Sequence, residues 1–203
     1  MDDLKEFVTK LAAAEPLPGG GSAAALTGAL AAALGEMMAG LTAGREKFAQ
    51  VRLQIAEIHA RMSALRTILQ GLVLEDQAAY QALLQSLRLP KETAGQITSR
   101  GAAIEEAARL ATESPLRTAR ASVEVLENLK VLIEIGNPNA KSDAAVGAQL
   151  AYASLKSGQY NVLANIGVLK DRSYAENCRL EISALVLRGQ LLLQHIDGRM
   201  TGA

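Results

Sequence analysis

The segment from Glu15 to Thr42, EPLPGGGSAAALTGALAAALGEMMAGLT, limits what this chain can fold into more than any other. Prolines and three consecutive glycines lead into a run of alanine, glycine and leucine that contains no lysine or arginine. Glycine inside a helix costs roughly 1 kcal/mol relative to alanine, so Gly28 and Gly35 need a reason to be there. Seven residues apart, they share a helix face with small neighbours, and the segment therefore predicts a buried helix that another backbone approaches closely.

Two other interpretations of this segment are weaker. A phosphate-binding loop would need Lys followed by Ser or Thr after its last glycine, and here GGGS is followed by alanines. A membrane span would place the Glu36 carboxylate inside the bilayer, at a cost of about 2.5–3.5 kcal/mol on insertion scales. We therefore expect no membrane association, although an exposed helix N-terminus can still hold an anion or a carbonyl group.

The length and composition point to one domain that does not bind nucleic acid. The 203 residues suffice for one sizeable core, and no linker or internal repeat divides them, so we predict a single domain over 1–203. With 21 basic and 21 acidic residues the net charge is zero, whereas a general nucleic-acid binder needs a basic face. The single cysteine and the lack of a signal peptide indicate a cytoplasmic protein.

Apolar residues recur in steps of three and four, which predicts an all-α multihelical bundle of about seven helices. Its longest stretch, 44–89, is either one long helix or two stacked helices that join near Gly71. The other predicted helices are 2–14, one capped by Ser22, 97–112, one opened by Ser114 and Pro115 that ends before Gly136, 143–170 and 174–200.

Asp76 occupies a position of the long helix where an apolar residue is expected, four residues after Leu72. A carboxylate on a packing face loses solvation, which raises its pKa unless a cation or hydrogen-bond donors compensate. Asp76 can fix the register of the packed helices, as buried polar residues do in coiled coils. It can equally serve as a general acid and base.

The helix over 143–170 carries a small, polar face. Asn161 and Asn165 lie one turn apart on it and offer amide donors and acceptors together. A solvated surface is the alternative, but the face has few of the lysines and glutamates usual there. His59 and His195 have no neighbour at metal-ligand spacing, so no metal site is predicted.

Three blocks of the sequence, taken together, resemble the cyclodeaminase/cyclohydrolase family, the cyclodeaminase half of formiminotransferase–cyclodeaminase and its stand-alone bacterial relatives. The resemblance covers essentially the whole chain in order. The blocks are PLPGGGSAAALTGALAAALGEMMAGLT with GREKF, EDQAAYQALLQSLRLPK, and GNPNAKSDAAVGAQLAYASLKSGQYNVLANI.

The resemblance implies an all-helical enzyme of folate one-carbon metabolism that works as a homodimer, with the folate site near the subunit interface. Its substrate would be a tetrahydrofolate derivative, with or without a polyglutamate tail, and no further cofactor is expected. The first expectation is a cyclodeaminase, which closes 5-formiminotetrahydrofolate to 5,10-methenyltetrahydrofolate and releases ammonia. The alternatives are a methenyltetrahydrofolate cyclohydrolase and a folate-binding module without turnover.

The resemblance also assigns expected roles to individual residues. Asp76 is the first candidate for the general acid and base, and Asp143 the second. The expected substrate-binding residues are Pro18, Gly19, Gly20, Gly21, Ser22, Lys47, Tyr80, Lys91, Asn137, Ser142, Asn161 and Asn165. Among these, Asn161 and Asn165 would orient the pterin or the reacting nitrogen, and Lys47 and Lys91 would pair with the glutamate carboxylates.

Overall fold

The computed structural model describes residues 2–201, and the secondary structure there is entirely helical. This confirms the predicted all-α bundle, with six α-helices and two short 3₁₀ helices instead of about seven helices. The α-helices are α1 (Asp2–Leu11), α2 (Gly20–Ala43), α3 (Arg52–Leu87), α4 (Ala94–Ile135), α5 (Lys141–Ile166) and α6 (Arg172–Thr201). The 3₁₀ helices span Glu46–Val51 and Pro138–Ala140.

Helix α2 packs against α3 and α5 and runs antiparallel to both, and its glycines make these contacts close. A Cβ atom on Gly35 would collide with the Met62 side chain of α3. A Cβ atom on Gly28 would lie 2.8 Å from Ser154 Oγ of α5 and 3.0 Å from Leu69 Cδ2 of α3. The predicted close approach of another backbone to this helix is confirmed for α5, where a Cβ atom on Gly147 would lie 3.3 Å from the Ala31 carbonyl oxygen of α2; on the α3 side the glycines make room for side chains.

A chain of buried hydroxyl groups ties α2, α4 and α5 together. Ser154 donates a hydrogen bond to the Ala24 carbonyl of α2 at 2.7 Å, and Ser122 of α4 donates to Ser154 at 2.9 Å. Both serine side chains are fully buried, so each needs these partners to offset lost hydration. The small, polar face of α5 is therefore packed against its neighbours at Ser154, and the solvated-surface alternative is wrong there.

Helix α3 is continuous through Gly71, so the alternative of two stacked helices is wrong. Its buried residues follow the predicted spacing from Ile55 to Leu72. The long helix does not start at 44, however, because a 3₁₀ helix with a non-helical Phe48 precedes Arg52. The first helix is also shorter than predicted and ends at Leu11.

The prediction of two helices over 97–112 and 114–135 is wrong. The single helix α4 runs from Ala94 to Ile135, with Pro115 inside it and Thr93 as its N-cap. Ser114 does not cap a helix, since its buried Oγ has no hydrogen-bond partner among the described residues. A serine followed by proline therefore does not mark a helix start in this chain.

Helix α2 is the one helix within residues 2–201 that is long and apolar enough to cross a membrane, and half of its most apolar window is buried inside the protein. Its single charged residue, Glu36, forms an ion pair with Arg66 of α3 at 2.7 Å.

Leucine substitutions at two glycines test the packing of α2. Gly28→Leu inserts a side chain against Ser154 and Leu69 and is expected to lower the free energy of unfolding by at least about 1–3 kcal/mol. The matched control is Gly71→Leu, at an exposed position of α3 where an added Cβ meets only Glu75 Oε1, at 3.9 Å. That change should raise stability by up to about 1 kcal/mol. Urea denaturation measures both, and equal effects would contradict the packing described.

Candidate active site

A cleft of about 280 Å³ opens where the N-terminus of α2 meets α3, α4 and α5. Seven of the predicted site residues line it, together with four residues that the sequence did not single out. The lining consists of Pro16, Leu17, Gly19, Gly20, Gly21, Asp76, Tyr80, Ala111, Asn161, Ala164 and Asn165.

The Asp76 carboxylate lies directly over the first turn of α2. Ser22 Oγ donates to Asp76 Oδ2 at 2.8 Å, and the Ser22 backbone N–H also donates to this carboxylate. Helix α2 begins after Gly19, which has no side chain to cap it, so Ser22 is not the N-cap that the sequence predicts. Asp76 from α3 takes over part of that function, because the first amides of a helix lack partners within the helix.

Glycine at position 21 makes room for this arrangement. A Cβ atom on Gly21 would collide with the Asp76 carboxylate. A Cβ atom on Gly20 would lie 3.9 Å from the amide nitrogen of Asn161. Gly21 therefore allows the Asp76 side chain of α3 to lie against the start of α2, whereas a Cβ at position 20 would make only an ordinary contact with Asn161 of α5.

The pKa of the Asp76 carboxyl is raised above its ordinary value, chiefly because burial disfavours the charged form. The two hydrogen bonds from Ser22 oppose this effect and lower the pKa. Ser22 Oγ also lies 3.2 Å from the Val73 carbonyl. Since a hydroxyl has one proton, Ser22 can donate it to an ionised Asp76, or donate it to Val73 while accepting from a neutral Asp76. Asp76 therefore has a partner in both protonation states, as a group that takes and returns a proton requires.

Asn161 and Asn165 present hydrogen-bond acceptors to the same cleft. The Asn161 amide nitrogen donates to the Ser157 carbonyl at 2.9 Å, and the Asn165 amide nitrogen donates to the Ala111 carbonyl of α4. Each side-chain nitrogen thus uses one of its two N–H groups on the backbone, and within the described residues neither side-chain oxygen accepts a hydrogen bond, so both oxygens are available to a ligand. Together with the Asp76 carboxylate, these two oxygens give the cleft three hydrogen-bond acceptors, which suits a ligand rich in N–H groups.

Four other predicted residues lie at the opposite end of the bundle. Asp143 and Ser142 are in the first turn of α5, and at 1.5 Å per residue Asp143 is about 27 Å from Asn161 along the helix axis. Asn137 is buried; its backbone N–H donates to Thr42 Oγ1 at the end of α2. Lys47 is exposed in the 3₁₀ helix after α2. Within one chain, none of these four lines the cleft with Asp76.

Lys91 and Pro18 also lie outside the lining of this cleft. Pro18 is buried in the loop before α2. Lys91 lines a second cleft of about 280 Å³ with Arg100 and Lys170. Within the described residues, none of these three cations forms an ion pair with a carboxylate, so the second cleft is a basic one.

No metal centre is evident in the described part of the chain, where no three His, Cys, Asp or Glu side chains come together to hold an ion. Cys178 is a free cysteine and is buried.

Comparison with known proteins identifies the family. The sequence profile of formiminotransferase-cyclodeaminase matches residues 3–184. The chain belongs to this family. The methenyltetrahydrofolate cyclohydrolase of Methylorubrum extorquens is 36% identical over 195 residues, which are 96% of this chain and 94% of that protein.

Other family members resemble the chain over nearly its full length. The formiminotetrahydrofolate cyclodeaminase of Thermotoga maritima has a similar crystal structure, with a TM-score of 0.89, 26% identity and coverage of 98% of this chain and 96% of that one. The formimidoyltransferase-cyclodeaminase of Rattus norvegicus is 32% identical over 183 residues, which are 90% of this chain but 34% of the rat protein. This chain therefore spans about a third of the length of that longer relative.

Titration of Asp76 tests the electrostatics of the cleft. Carbon NMR of the side-chain carboxyl should give a pKa above that of an ordinary aspartate, and Ser22→Ala should raise it further, because the variant removes a donor that favours the charged form. Ser183→Ala, which removes an exposed hydroxyl of α6, should leave it unchanged. If the pKa of Asp76 is the same in Ser22→Ala as in the wild type, the hydrogen bond assigned between Ser22 and Asp76 is contradicted.

The same shift predicts how stability depends on pH. A carboxyl whose pKa is raised by folding gives its full stability below the unfolded-state pKa and loses it as pH rises towards the folded-state pKa. Asp76→Asn has no such loss, so its melting temperature at neutral pH should equal or exceed that of the wild type.

Proposed function

We propose that the protein is an enzyme of folate one-carbon metabolism that acts on the carbon between N5 and N10 of tetrahydrofolate. The observation that carries the proposal is the half-buried Asp76, held over the start of α2 by Ser22 and facing a cleft with Asn161 and Asn165. The names of the family members with known activity fit this chemistry. We expect the enzyme to work in the cytoplasm and to need no cofactor besides its folate substrate.

The first candidate reaction is the cyclodeaminase reaction. N10 attacks the carbon of the protonated formimino group, and Asp76 accepts the N10 proton. The tetrahedral carbon then carries N5, N10 and an amino group. Asp76 returns the proton to the amino nitrogen, which leaves as ammonia, and methenyltetrahydrofolate results. The leaving nitrogen carries several N–H bonds, for which Asp76, Asn161 and Asn165 offer acceptors.

The second candidate is the cyclohydrolase reaction, which the 36% identity to a cyclohydrolase of nearly equal length favours. Here Asp76 takes a proton from water as its oxygen attacks the methenyl carbon. The bond from this carbon to N5 breaks as N5 gains a proton, and 10-formyltetrahydrofolate is formed with net release of one proton. Both reactions use one carboxylate that alternates between its charged and neutral forms.

Absorbance of methenyltetrahydrofolate distinguishes the two reactions. Enzyme-dependent growth of the signal from 5-formiminotetrahydrofolate, with ammonia released, identifies a cyclodeaminase, and decay of added methenyltetrahydrofolate identifies a cyclohydrolase. Asp76→Asn should lower kcat by about 10²–10⁴-fold in whichever reaction occurs.

In the same assay Lys91→Gln should raise KM, because we assign the basic cleft to the glutamate carboxylates of the folate. Rates equal to the uncatalysed ones, with folate still bound, would favour a binding module.

We also propose that two chains form a dimer through the outer face of α2. Leu30, Met37 and Leu41 on this face are 52%, 42% and 46% exposed, and with the half-buried Leu34 they repeat every three or four residues without a charged side chain. A twofold axis across this face pairs the two copies of α2 antiparallel. The Asp76 cleft of one chain would then face Asp143, Ser142, Asn137 and Lys47 of the other, which accounts for both groups of predicted residues.

A charge on this face tests the dimer. Met37→Asp should convert the dimer into a monomer, because it buries a carboxylate in an apolar contact, and should lower activity at least about tenfold. Light scattering after gel filtration measures the mass. Leu187→Asp on α6, where Leu187 is 61% exposed, is the matched control and should change neither property. A fully active monomer would contradict the shared site.

A further inference from the structure

Pro115 lies inside α4 in the buried part of the bundle, where a proline normally weakens a helix. Its ring nitrogen has no hydrogen, so the carbonyl of Ala111, four residues earlier, receives no hydrogen bond from position 115. The ring also pushes that carbonyl away from the helix axis. A buried carbonyl without a partner is costly, and another donor has to replace the missing one.

The replacement comes from the candidate active site. The side-chain nitrogen of Asn165 in α5 donates to this Ala111 carbonyl, and both residues line the cleft that contains Asp76. The backbones of α4 and α5 are close here because Gly158 lies against Pro115, and a Cβ atom on Gly158 would be 3.0 Å from the Pro115 carbonyl. Asn165 follows Gly158 by seven residues on the same face of α5.

This bond fixes which end of the Asn165 amide faces the cleft. With the nitrogen held by α4, the oxygen is directed to the ligand as an acceptor. If residue 115 had a backbone N–H, that group would compete for the Ala111 carbonyl and draw it back towards the axis of α4. The Asn165 amide would then be held less firmly and could turn its nitrogen to the cleft.

We infer that Pro115 is a positioning residue, which frees the Ala111 carbonyl so that Asn165 presents its side-chain oxygen to the substrate. The inference rests on the proposed function for its consequence in catalysis. The orientation of Asn165 does not depend on the proposed function, because it is a property of the protein without a ligand.

The decisive variant is Pro115→Ala, because its structural and positioning effects have opposite signs. Alanine restores a helix hydrogen bond, so the melting temperature should rise. The loss of a firmly held acceptor should lower kcat/KM about tenfold. In an Asn165→Ala background, Pro115→Ala should still raise the melting temperature but cause no further loss of kcat/KM. Gly71→Ala on α3 is the control for a stabilising helix substitution and should leave kcat/KM unchanged.

An NMR measurement tests the orientation without substrate. The side-chain amide protons of Asn165 should exchange slowly in the wild type and at least about tenfold faster in Pro115→Ala. Equal exchange, or equal kcat/KM in wild type and Pro115→Ala, would overturn the inference. If neither protein turns over a folate while the exchange rates differ as expected, the proposed function fails and the orienting role stands. Should Pro115→Ala fail to fold, Pro115→Ser, which also restores the backbone N–H, replaces it with the same expected loss of kcat/KM and faster exchange of the Asn165 amide, and unchanged values overturn the inference.

Discussion

The bundle depends on how closely α3 and α5 approach α2. Gly28 has Leu69 on one side and Ser154 on the other, and Gly35 has Met62 against it, at distances that leave no room for a larger side chain. Interiors are packed at crystal-like density, so this approach fixes the spacing and rotation of three helices at once. The hydrogen bond from Ser154 to the Ala24 carbonyl sets the position of α5 along the axis of α2.

The candidate site is a consequence of the same packing. Because α3 lies so close to α2, the Asp76 carboxylate reaches the first turn of α2, and Gly21 is required there to avoid a collision. This position costs Asp76 part of its hydration and raises its pKa, while the Ser22 donors limit the rise. A carboxylate whose charged form is disfavoured by burial but accepts hydrogen bonds from Ser22 is suited to proton transfer.

Backbone groups left without helical partners are used twice in the cleft. At the start of α2, the Ser22 N–H is bound by Asp76 from α3. In the middle of α4, the carbonyl that Pro115 frees is bound by Asn165 from α5. In each case a backbone group that lacks a partner within its own helix forms a hydrogen bond with a polar side chain of another helix. The bond orients that side chain at the site.

The sequence by itself determined the all-α class, the tight packing of Gly28 and Gly35, and the unusual position of Asp76, because each follows from local spacing along a helix. Only the tertiary structure decided that Ser22 bonds to Asp76 instead of capping α2, and that Pro115 lies inside one helix. Serine before proline predicts a helix start on local grounds, but the 42-residue helix α4 gains enough contacts with α3, α5 and α6 to continue through it. Spacing along the sequence also does not show which of the predicted site residues meet in one chain. That depends on the antiparallel course of α2 and α5, which is a long-range property of the fold.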